Sequence, residues 1–263
     1  MNQKEKETYK RLWLQNSQVS FSRLVELHKL FTTFTIYRGA EAQKADDDYL
    51  GFNDVGIMCL LATSTVMTRH ISAIQHLLSA KYPVQAMILL RALIETWFYT
   101  IMYFEEPTRA EDYFKNPTDS KNKPKYRPHE VKEIALRVVR DCPVPLSEEF
   151  ATVIAEQYKI ACEMVHMSNS LMYASFGVFS GEEHIPFDAS SENDKYLYIA
   201  YGRILHVSSA FWITLYFSFL SEDEHPYTNQ LAESITDYFC PALELVRKID
   251  PLFDTVWNEE ESE

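Results

Sequence analysis

The sequence predicts an all-α chain, a single-domain bundle (1–263) of about six or seven main helices around a central apolar helix at 83–106. Three observations carry that prediction. Apolar residues recur every three or four positions over long runs. Only 6 glycines and 11 prolines interrupt 263 residues, and the prolines fall mostly between those runs. Evenly spaced short alternating strands are not seen.

The first helix is predicted from about Lys4 to Tyr37, with Leu12, Val19, Leu24, Leu27, Leu30, Phe31 and Phe34 as its core stripe. Arg38-Gly39 and the polar AEAQKADDD should end it as a loop. Asn53 or Asp54 then caps a second helix running to about Ala80, with Leu60, Leu61, Val66, Ile71, Ile74, Leu77 and Leu78 facing the core. Tyr82-Pro83 breaks the chain, and Pro83 suits the first turn of the next helix, where a missing N–H costs nothing.

That third helix, PVQAMILLRALIETWFYTIMYFEEP, is apolar on nearly every side and should lie where other helices cover each face. Arg91 and Glu95 stand one turn apart inside it. Basic before acidic is the weaker order for an isolated helix, so local helix stability is a poor reason for the pair. They read as a structural ion pair, or as part of a pocket that binds a ligand.

Beyond it the chain turns polar. Residues 116–128, NPTDSKNKPKYRP, read as an exposed basic loop. A short helix is expected over 129–140, followed by one opening at Ser147-Glu148-Glu149 and reaching His166. Residues 167–190 read as an irregular segment packed on the bundle. A long helix over 191–220, a last one over about 226–249 kinked at Pro241, and a frayed acidic tail at 258–263 complete the chain.

Charge and motifs narrow the chemistry. A net charge of −13 argues against general affinity for nucleic-acid backbone or anionic membrane. The interval 115–140 runs against that balance. Its lysines and arginines, with Tyr126 among them, fit a solvated loop or a contact surface for RNA or a protein partner. Four scattered cysteines without a C-x-x-C pair point to reduced thiols and a cytoplasmic protein. The opening MNQKEKETYKRLW has no apolar core, so no secretory signal is expected, and the run 204–220 reads as a bundle helix rather than a membrane span.

Glu163-x-x-His166 has the spacing of a di-iron ligand pair, but Arg203-x-x-His206 puts a cation where the second pair needs a carboxylate. His70 and His76 lie on different helix faces, so neither a metal nor another cofactor is expected. Nucleophile elbows, phosphate loops and dinucleotide fingerprints are absent from the sequence.

LLRALIET, followed by an aromatic run and EEP, resembles the R-x-x-x-E helix of an uncharacterised family of bacterial helical proteins. YKIACEMVHMS is similar to that family's Y-x-x-x-S-x-x-x-H-x-S segment, with Cys162 at the serine. Such proteins look like distant members of the HEPN helical-bundle group. That group includes dimeric, metal-independent ribonucleases of toxin and defence systems, built on an R-x(4–6)-H motif. The resemblance implies an internal polar site of Arg91, Glu95, Tyr158, His166 and Ser168, and a homo-oligomer. It also implies, in the catalytic case, His166 for proton transfer with Lys159 or Arg91 as the cation. At His166 the pattern departs from the motif, since only Lys159 precedes it as a cation.

Overall fold

The computed structural model describes residues 2–45, 54–105, 147–165, 194–216 and 228–238, with single positions between 108 and 136 and at 220. Among them the chain is all-α, a bundle without strands. Five long helices carry it: α1 (Gln3–Ala45), α2 (Asp54–Ser79), α3 (Pro83–Glu105), α4 (Ser147–Val165) and α5 (Asp194–Leu215). Residues 228–238 form a further helical stretch.

The first helix begins on a reciprocal cap. Asn2 Oδ1 accepts from the Glu5 backbone N–H at 2.9 Å, while Glu5 Oε2 accepts from the Asn2 N–H at 2.9 Å. The helix then runs for 43 residues, about 65 Å at 1.5 Å per residue. Its buried line is Trp13, Ser17, Ser20, Leu24, Leu27, Phe31 and Phe34, in steps of three and four. Leu12 and Val19, expected in the core, are 51% and 55% exposed. The line runs through small hydroxyls as well as apolar residues, and each of these two sits beside it. Val66 on α2 is exposed for the same reason, because Ser64 and Met67 take the buried places on either side.

Arg38-Gly39 does not end α1, which continues to Ala45. Gly39 instead lets two helices approach closely. A Cβ there would stand 2.7 Å from Ile57 Cγ2 on α2. The two helices are antiparallel and joined by a ladder of hydroxyls: Thr35 to Ser64 at 3.2 Å, Thr32 to Thr68 at 3.1 Å, and Gln75 Nε2 to Ser22 Oγ at 3.2 Å.

The α2–α3 turn closes with paired bonds, Tyr82 N–H to Leu77 O at 2.8 Å and Lys81 N–H to Leu78 O at 3.1 Å. Lys81 takes the left-handed position, φ 61°, where glycine is usual. Pro83 opens α3 as the sequence predicts.

Helix α3 packs against α2, α4 and α5, and α5 packs against all four other long helices. Their contact is aromatic. Trp97 and Phe211 stack with centroids 4.6 Å apart, and Phe211 and Phe31 each meet Trp212 edge-on at 5.3 Å. Two stretches, Gly56–Ser79 and Pro83–Tyr103, are long and apolar enough to cross a membrane; of their most apolar windows, 39% and 56% is buried in the bundle.

Helix α5 starts and stops inside the expected 191–220. Glu133 and Leu136 are helical within the expected 129–140 helix, and 228–238 falls within the expected last one. All of the basic loop 116–128 except Asn116, the segment 167–190, Pro241 and the tail 258–263 lie outside the described residues.

Candidate functional site

One carboxylate ties two helices together. Arg91 and Glu95 project from one face of α3, and Arg91 Nε donates to Glu95 Oε1 at 3.0 Å. From α4, the Tyr158 hydroxyl donates to the same Oε1 at 2.9 Å. Tyr158 is fully buried, whereas the Arg91 and Glu95 side chains are 28% and 31% exposed. The pair therefore lines the edge of the bundle with one face toward solvent, and is not sealed in its centre.

The electrostatics follow from that placement. Burial, then the Glu95 hydrogen bond and its negative charge, raise the Tyr158 hydroxyl well above its ordinary pKa. Burial alone would lower Arg91, but the bond to Glu95 and the surrounding groups more than offset it, so its pKa is raised. Cys162, one turn beyond Tyr158, sits in the same field. Burial raises its thiol against the opposing pull of Arg91, which leaves it protonated and weakly nucleophilic near neutral pH. The arrangement is built to hold a fixed ion pair and a fixed phenol.

Of the sequence-predicted site residues, the structure brings Arg91, Glu95 and Tyr158 together. Lys159 is exposed on α4, about 100° around the helix from Tyr158. His166 and Ser168 lie outside the described residues. Cys162 was legible only as the residue in the serine's place; its spacing of four from Tyr158 is the signal that puts it beside the pair. Among the described residues, His, Cys, Asp and Glu side chains do not gather into a group of three that could hold a metal.

No curated protein and no solved structure matches the chain. Residues 57–123, which hold nearly all of α2, the whole of α3 and therefore Arg91 and Glu95, are similar to a family of unknown function (DUF5677).

Proposed function

We propose that this is a non-catalytic helical-bundle protein of HEPN-like, bacterial type, with a binding or scaffold role in a defence or stress system. Its polar site is centred on Arg91, Glu95 and Tyr158, and the reading assigns His166 and Ser168 to the same site. The supporting observation is that Glu95 Oε1 accepts from both Arg91 and Tyr158. A carboxylate engaged this way fixes the spacing of α3 and α4 and is poorly placed to move a proton. The protein is cytoplasmic and works as a homodimer, and the 115–140 stretch provides its contact with RNA or a protein partner.

The competing reading is a metal-independent ribonuclease using His166 with Lys159 or Arg91. The partial exposure of Arg91 is the observation in its favour. Incubating the purified protein with labelled RNA in chelator separates the two. Intact RNA is expected. Cleavage that His166→Ala removes without lowering the melting temperature would overturn the scaffold reading.

A further inference from the structure

His28 lies in the middle of α1 and is 1% exposed. Its Nδ1 is 2.9 Å from the Leu24 carbonyl. A carbonyl only accepts, so Nδ1 carries the proton and Nε2 holds the lone pair of a neutral ring. Among the described residues that Nε2 is buried without a hydrogen bond. The ring meets Trp212 of α5 edge-on, centroids 5.0 Å apart, and the buried Trp212 Nε1 likewise has no acceptor.

At this point α2 and α5 are held on α1 by different forces. Toward α2 the contact is polar. Thr68 Oγ1 donates to the His28 carbonyl at 3.2 Å, and Thr32 and Thr68 share a bond at 3.1 Å. Toward α5 it is aromatic packing, with Phe31 also edge-on to Trp212 at 5.3 Å. Among the described residues the imidazole meets the Leu24 carbonyl on α1 and the Trp212 ring on α5. Neither titrates, and neither can neutralise an imidazolium. A proton on Nε2 would create a cation and a new donor in a place that, among the described residues, offers neither counter-charge nor acceptor.

We propose that His28 is an acid-operated latch: neutral, it seats α1 on the Trp212 end of α5, and protonated, it releases that end from α1 while the hydroxyl ladder keeps α1 on α2. Hydrating the charged ring requires opening one of its two sides. Around Trp212 the aromatic side is held by ring packing, and the bond from the Tyr198 hydroxyl to the Lys10 carbonyl lies near the start of both helices. Burial lowers the His28 pKa from 6.5 to about 4, against a smaller opposing effect of the Leu24 bond. The released or unfolded form takes up its proton near 6.5 and the seated form does not. Seating is therefore favoured above that pH and weakens as pH falls from about 6.5 toward 4.

The experiment is hydrogen exchange on the full chain at pH 7.5 and at 4.5 to 5, corrected for intrinsic rates, for the wild type and for His28→Gln and His28→Phe. In the wild type, acid should speed exchange in α5 around 207–215 and in the middle of α1, leaving α2 and α3 protected. Both variants should keep α5 protected, with the acid midpoint of its opening lowered by about one pH unit. Exchange that rises evenly across all helices, or variants that follow the wild-type profile, would overturn the latch. Should neither variant fold at pH 7.5, an imidazole NMR titration of the wild type decides. A His28 that stays neutral until α5 opens supports it, and one protonated near 6.5 with the Trp212 contact intact overturns it.

Discussion

At the scale of single residues, the polar site turns on the order in which its groups are removed. Glu95 receives two donors on one oxygen. Replacing it by glutamine leaves a partly buried guanidinium without its counter-ion. Because both side chains of the pair are near 30% exposed, water relieves part of that loss, and Glu95→Gln should cost about 1–2 kcal/mol rather than the larger penalty of a sealed pair. Tyr158→Phe removes one bond to a charged acceptor and should cost about 1.5–3 kcal/mol. The two effects should be less than additive in a double-mutant cycle read by urea melts, since they share one oxygen. Strict additivity would mean that Tyr158 and Glu95 do not depend on each other, and the clip between α3 and α4 would fail as an explanation. The spacing of Arg91 and Glu95 was readable in the sequence. Tyr158 came only from the family resemblance and not from spacing, because it is 63 residues away and nothing local marks a tyrosine whose hydroxyl crosses to another helix.

At the scale of elements, two backbone positions behave oppositely to their local propensity. Lys81 occupies a left-handed C-terminal position with φ 61°. Glycine adopts that conformation without strain, so Lys81→Gly should raise stability by about 0.5–1 kcal/mol despite its more flexible unfolded chain. A lowered melting temperature would mean the lysine side chain contributes more than its backbone loses. Gly39 presents the converse case, a glycine inside a helix where alanine is the better former. With a Cβ 2.7 Å from Ile57 Cγ2, Gly39→Ala should destabilise by about 1 kcal/mol or more, and Ile57→Ala should relieve it. The sequence reading took this glycine for the end of α1, which shows where local signals stop. An isolated glycine after an arginine looks the same whether it terminates a helix or admits a neighbour. The misplaced core positions Leu12, Val19 and Val66 have a similar origin. Hydrophobicity marks which residues favour burial, but Ser17, Ser20 and Ser64 hold the buried line because helices approach closely over small side chains.

At the scale of the whole molecule, the helical class and most helix positions were legible, since long runs of three-four spacing admit few other folds. Which helix meets which was not. The sequence points to α3 as the centre, and the structure gives α5 an equal part, in contact with α1, α2, α3 and α4. That arrangement carries a consequence for unfolding. If α5 is the common partner, a defect in its aromatic core should be felt by every element together. Phe211 is 1% exposed, stacked on Trp97 at 4.6 Å and edge-on to Trp212 at 5.3 Å. Phe211→Ala removes that side chain from a site closed on all sides, and should cost about 3–5 kcal/mol. More telling than its size is its form. In a single domain, far-ultraviolet circular dichroism and tryptophan fluorescence should report one coincident transition in the wild type, shifted as a unit in the variant. Two separated transitions, with only one moved by Phe211→Ala, would mean that part of the chain folds apart from the α3–α5 core and that the single-domain reading of 1–263 is wrong.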